Sequence, residues 1–264
     1  MYRTKQILLL SVVLLTLLFA CKKEEHELPV KKILLIGSSF TGNYHNYIDS
    51  LVACNNDSII KKVYSIGNGT FKKLTENNYF LNLLSHEKYD YYMLQEAAYM
   101  SCLKENEVRN STVLHLNVLL DTIKKFNPEA RIGLYMPHAY EFGHADRCSV
   151  DTVVCDYWGM QKRIIDNHII ISQHFNIELA PVGFVWMKFK EKYPNVDLYT
   201  DSFHGSPEGR YLTACVVFSI IFKKSIVDTP VPSDLLFENA QLIQQFVNDL
   251  LNSNNDWQKH YLQK

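Results

Sequence analysis

Two short segments carry side chains suited to nucleophilic chemistry. The first is Gly37-Ser38-Ser39-Phe40-Thr41, directly after the apolar run Lys32–Ile36. A serine at a strand-to-helix turn presents its hydroxyl at the sheet edge, and a neighbouring glycine lets the chain bend sharply. The nucleophile elbow Gly-x-Ser-x-Gly is not formed, because Thr41 stands where the second glycine would be. The second segment is Asp201-Ser202-Phe203-His204, followed by Gly205-Ser206-Pro207. Histidine is the usual general base near neutral pH, and a carboxylate three residues away can orient its ring through one nitrogen. Pro207 suits the first turn of a helix with Ser206 as its cap, which places Asp201 and His204 on the loop before it. Taken alone, that loop reads equally well as a capping aspartate and a surface histidine.

The elements that must position these residues follow from the apolar pattern. Continuous apolar runs at Lys32–Ile36, Lys62–Ile66, Tyr91–Gln95, Arg131–Met136 and Ile177–Pro181 predict strands buried on both faces. Helical spacing fills the intervals. One stripe is Tyr44, Ile48, Leu51 and Val52, and another is Phe71, Leu74, Phe80 and Leu84. The segments Val113–Phe126, Trp158–Phe175, Pro207–Phe222 and Ser233–Leu251, the last opening on a capping serine, continue the alternation. Five strands alternating with helices predict an α/β fold, a three-layer α/β/α flavodoxin-like arrangement with a five-stranded parallel sheet. Ligands are then expected at the carboxyl ends of the strands. No repeat, low-complexity tract or Pro/Gly-rich linker divides the chain, so residues 31–264 read as one domain. The irregular stretch His138–Tyr157 follows the fourth strand and is expected to border the pocket.

Together the Ser39 and His204 segments resemble the first and last blocks of the SGNH (GDSL-type) hydrolases, with Ser38 in place of the usual aspartate. The resemblance spans about Lys32 to about Phe222. It implies that Ser39 is the nucleophile, His204 the base and Asp201 its orienting partner. In this family a second block supplies a glycine amide to the oxyanion hole, and here Ile66-Gly67-Asn68-Gly69 follows the second strand, so either Gly67 or Gly69 is a candidate. The third block normally contains Gly-x-Asn. This chain has Leu94-Gln95-Glu96 instead, which looks like a subgroup with that tripeptide, and Gln95 is the candidate side-chain donor. The resemblance implies hydrolysis of acyl esters through an acyl-enzyme, without metal or organic cofactor. An exported chain of this kind is expected to act on acyl groups of extracellular glycans, O-acetyl esters above all. The rival readings are a non-catalytic glycan-binding protein that retains the fold, and a hydrolase of lipid or thioester acyl groups.

Other histidines offer a metal alternative. His138, Glu141 and His144 lie at three-residue intervals, and His115, His168 and His174 fall in helical stretches. None matches His-Glu-x-x-His or a Cys/His knuckle, so they read as loop and surface histidines with no metal. Of the cysteines, Cys148 and Cys155 form the best disulfide pair on offer, and Cys215 in its apolar run reads as inert core.

The N-terminus reads as a targeting segment. Arg3 and Lys5 precede an uncharged stretch of 14 residues, Ile7 to Ala20, too short to span a bilayer. Leu18-Phe19-Ala20-Cys21 resembles the lipobox of bacterial lipoproteins, in which the cysteine becomes the lipidated first residue. Residues 1–20 are thus expected to be a lipoprotein signal peptide and residues 21–30 a charged tether. Acylated Cys21 would then hold the exported domain on the membrane of the cell envelope. The whole chain of 264 residues has a formal net charge of −1, and loss of residues 1–20 brings it to −3. That balance gives no basic excess for nucleic acid. Charged residues at 21% and hydrophobic ones at 47% exclude a disordered chain or a coiled coil.

Overall fold

The computed structural model describes residues 32–55 and 58–251, together with 258 and 261. The signal segment, the tether and Cys21 lie outside the described residues. Five strands form one all-parallel sheet: β1 (Lys32–Gly37), β2 (Ile60–Ser65), β3 (Tyr91–Gln95), β4 (Arg131–Tyr135) and β5 (Glu178–Ala180), in the spatial order β2-β1-β3-β4-β5. The central register pairs Ile33 with Tyr91 and Tyr91 in turn with Arg131. Ile33 to Ile36 are fully buried, as a strand covered on both faces requires. At the β2 edge, Lys61 and Lys62 pair with Asp49 and Glu87, each at 2.6 Å, and this charge along the edge protects it from adding another strand.

Helices α1 (Ser39–Cys54), α2 (Phe71–Thr75), α3 (Asn78–His86), α4 (Ala98–Ser101) and α5 (Glu105–Val108) connect the first half of the sheet. A single π-turn, Arg109–Val113, leads from α5 into α6 (Leu114–Phe126). The second half adds α7 (Tyr157–Phe175), α8 (Val182–Lys192), α9 (Pro207–Phe222) and α10 (Phe237–Leu251). Helices flank the sheet in three α/β/α layers. Helix α9 is buried almost throughout and packs against α1, α8 and α10, while α6 packs against α2 and α3.

Pro207 opens α9 and the Ser206 hydroxyl accepts the Gly209 N–H at 3.1 Å, as the sequence predicts. Three boundaries differ. The stripe from Phe71 to Leu84 is two helices, because Asn77 caps Phe80 and starts a new one. Helix α10 begins at Phe237 and not at Ser233, since a turn bonding Leu235 to Pro232 intervenes. Helix α8 has no counterpart in the sequence pattern: its Val182, Phe184, Val185, Trp186 and Phe189 are buried on nearly all sides and leave no polar stripe. Among the described residues no helix is long and apolar enough to cross a membrane.

Candidate active site

Ser39, His204 and Asp201 meet at the carboxyl end of β1. Ser39 is the first residue of α1, with Ser38 as its cap, so its side chain stands at the junction of strand and helix. The Ser39 hydroxyl lies 3.0 Å from His204 Nε2. His204 Nδ1 lies 2.9 Å from Asp201 Oδ2. The other Asp201 oxygen accepts the backbone N–H groups of Phe203 and His204, both at 2.7 Å. Partial desolvation pushes the Asp201 carboxyl upward, but the His204 ring and these two amides outweigh it and hold the group at about 2. Asp201 is therefore a carboxylate at any working pH. With Nδ1 donating to it, Nε2 is left as the acceptor of the serine proton.

The nucleophile turn is held from beneath by Gln95, at the end of β3. Its side-chain oxygen accepts three donors: the Ser38 N–H at 2.8 Å, the Ser38 hydroxyl at 3.0 Å and the Thr41 hydroxyl at 3.0 Å. Its amide nitrogen donates to the Glu96 carbonyl at 2.6 Å. Donors surround one end of the group and a carbonyl faces the other, so this orientation of the carboxamide is the one that satisfies both. Gly37 completes the fit, because a Cβ there would overlap the Gln95 carboxamide and the Thr41 hydroxyl.

This overturns the expectation that Gln95 donates to the oxyanion. It is fully buried and bonded at both ends, and it positions Ser38 and Thr41 instead. The glycine candidates also change. The Gly69 N–H closes a turn on the Ile66 carbonyl at 3.0 Å, and a Cβ at Gly69 would lie 2.8 Å from the Gly37 carbonyl oxygen. Gly67 is exposed and outside the cavity wall. Asn68, between them, is the loop residue that lines the cavity. It sits at φ 50°, a left-handed conformation that asparagine tolerates. Its place between two glycines in a turn was the signal in the sequence.

The cavity beside Ser39 holds about 150 Å³ and is walled by Ser38, Phe40, Asn68, Ala97, Ala98, Tyr99, Tyr140, Phe203 and His204. A groove of about 560 Å³ shares the cavity's Asn68, Tyr99, Tyr140 and Phe203 walls and adds Phe142, with Lys73, His144, Asp146 and Ser202. The irregular segment after β4 thus borders the site, as its position predicts. Its Glu141 N–H donates to the Ser202 carbonyl at 3.0 Å, and the Tyr140 ring packs edge-on against Phe203. Cys148 and Cys155 are joined in a disulfide within the same segment, and Cys215 is buried.

His138 departs furthest from its expected surface position. Its ring lies in a stack between Phe40, at 4.2 Å, and Trp186, at 3.8 Å. Its Nε2 donates to the Phe203 carbonyl at 3.0 Å, which assigns the proton to that nitrogen. Burial pushes the imidazole down to about 3, so it is neutral throughout. His138 thus connects the residue after the nucleophile to the residue before the base. His168 is likewise buried in α7. Among the described residues no group of three or more His, Cys, Asp or Glu is gathered that could hold a metal ion.

No family model and no curated protein matches the chain. Solved structures do. A DUF4886 family protein from Bacteroides uniformis superposes with a TM-score of 0.73 at 18% identity, over 85% of this chain and 96% of that one. A protein assigned to the SGNH hydrolases, from Slackia heliotrinireducens, gives 0.58 at 19%, over 73% and 99%. An acetyl xylan esterase gives 0.53 at 13%, over 71% and 98%. The chain has the three-layer fold of the SGNH hydrolases.

Proposed function

We propose that the protein is a serine esterase that removes short acyl groups, O-acetyl above all, from carbohydrate. The observation that carries this reading is the continuous chain from the Ser39 hydroxyl through both nitrogens of His204 to Asp201, at 3.0 and 2.9 Å. His204 takes the Ser39 proton as the oxygen attacks the ester carbonyl. The tetrahedral oxyanion is met by the Ser39 amide, which as the first of its helix has no carbonyl of its own helix to bond, and by Asn68 across the cavity. His204 then gives the proton to the departing alcohol. Water, activated by the same ring, repeats the attack on the acyl-serine and releases the acid.

The substrate reading draws on the shape of the site. A cavity of about 150 Å³ suits a small acyl group, and the aromatic groove beside it offers ring faces and polar edges to a sugar. The similarity in fold to an acetyl xylan esterase points the same way. Export and lipidation at Cys21 belong to the same proposal, and the Cys148–Cys155 disulfide supports an oxidising compartment. Intact-mass analysis of membrane-extracted protein checks Cys21 as the mature N-terminus.

Hydrolysis of p-nitrophenyl acetate, butyrate and octanoate tests the activity. The wild type is expected to prefer acetate, and Ser39→Ala to lose at least ~10³-fold in kcat. Equal rates in the two proteins would remove Ser39 as the nucleophile.

A further inference from the structure

The residue after Gln95 faces the opposite side of the site. Glu96 is 1% exposed. Its two carboxylate oxygens accept the Phe71 N–H, at 3.2 and 3.3 Å, and one of them also accepts the Ala97 N–H at 2.9 Å. Phe71 directly follows the loop of residues 66–70, and Ala97 with Ala98 forms the facing part of the cavity wall. The same loop is held at its start by the Ile66 N–H on the Gly37 carbonyl at 3.1 Å. Asn68, at its apex, is thereby fixed from both ends.

We propose that Glu96 is a positioning residue of the reaction: its carboxylate staples the Asn68 loop to the Ala97–Ala98 wall and sets the width of the cavity in which the oxyanion forms. The inference rests on the esterase reading above. Glu96 does not touch the substrate; it acts through backbone it holds. A buried carboxylate is costly unless its bonds are charge-assisted; a glutamine would keep one accepting oxygen but lose the charge and set an amide N–H against the Phe71 N–H.

A readout beyond stability follows from its chemistry. Burial raises the Glu96 carboxyl to about 7, with the Ala97 and Phe71 amides and the Thr112 hydroxyl pulling the other way. The titratable and charged groups around it are Tyr99 on α4, His115 on α6, Lys72 and Lys73 on α2, and Glu76 just after α2, all lining one pocket with it. As pH falls through 7 the carboxylate takes up a proton, the bonds to Phe71 and Ala97 weaken, and the loop loosens.

Glu96→Gln tests this with p-nitrophenyl acetate at pH 8 and with a p-nitrophenyl alkylphosphonate that modifies Ser39. The expected result is a fall of ~10- to ~100-fold in kcat with KM within about twofold, and a parallel fall in the phosphonylation rate. A kcat within about twofold of wild type, or a loss carried by KM, overturns the proposal. If that variant does not fold, Glu96→Asp answers: it keeps the charge but withdraws the oxygens by one methylene, so kcat and phosphonylation should fall together, and rates within about twofold of wild type overturn the proposal. A wild type that neither hydrolyses esters nor is labelled at Ser39 would instead sink the esterase reading.

Discussion

The nucleophile and the base are held by different means. Ser39 opens a helix just past the end of a central strand, over a buried carboxamide that gathers three donors from its turn. His204 and Asp201 stand on an exposed loop outside the sheet, with Asp201 half exposed. That loop is closed by an antiparallel bridge between Tyr199 and Gly205, by the Thr200 N–H on the His204 carbonyl at 2.9 Å, and by the His138 ring beneath Phe203. One half of the site is part of the core and the other is moored to it by a few bonds. Substitutions in the first half should therefore cost folding, and substitutions in the second should cost catalysis with little loss of stability.

The largest expected effect comes from the moored half. Asp201→Asn keeps the shape but lets the His204 ring take the wrong tautomer, and kcat should fall on the order of 10³- to 10⁴-fold. Because Asp201 is half exposed, its melting temperature should stay close to wild type; a comparable loss of stability would erase the contrast. Next is Gln95→Leu. It strands the Ser38 N–H, the Ser38 hydroxyl and the Thr41 hydroxyl in the core, and denaturant unfolding should show a loss of ~3 kcal/mol or more. A variant as stable as wild type would mean that the turn does not depend on Gln95. The smallest is His138→Phe, which retains the stack between Phe40 and Trp186 and removes the N–H donated to Phe203. Losing one such bond corresponds to about tenfold in kcat, with KM unchanged. No change would show the His204 loop to be held by its bridge alone.

The pH dependence separates the same two regions. Asp201, depressed to about 2 from an ordinary 3.8, adds stability above about 3.8 that is lost as pH falls from there through 2, and solvent screening of the half-exposed group keeps that contribution small. Glu96, raised to about 7 from an ordinary 4.5, acts in the opposite sense. The native state holds its proton more tightly than the unfolded chain, so its burial weakens the fold as pH rises from about 4.5 through 7. Glu96→Gln should flatten that decline, measured by unfolding at pH 5 and pH 8, while activity falls.

Much of this fold was legible because its strands are buried on both faces and read as unbroken apolar runs. Residues 32–36 and 91–95 needed no context to be recognised. Helix α8 was not legible, because a helix buried on nearly all sides has no polar stripe. His138 looked like a surface histidine because its sequence neighbours include Tyr140 and Glu141; the two rings that enclose it come from residues 40 and 186.

By itself the sequence determined the chemistry available. A serine after a strand and glycine, and an aspartate three residues before a histidine at a helix start, are local patterns whose backbone geometry depends on near neighbours. Where a polar side chain spends its hydrogen bonds is not local. Gln95 was as able to face the substrate as the core, and three donors on the turn of residues 38–41 drew it inward. The tertiary structure made that decision, and it left Asn68 facing the cavity, because a buried donor without a partner costs more than an exposed amide gains.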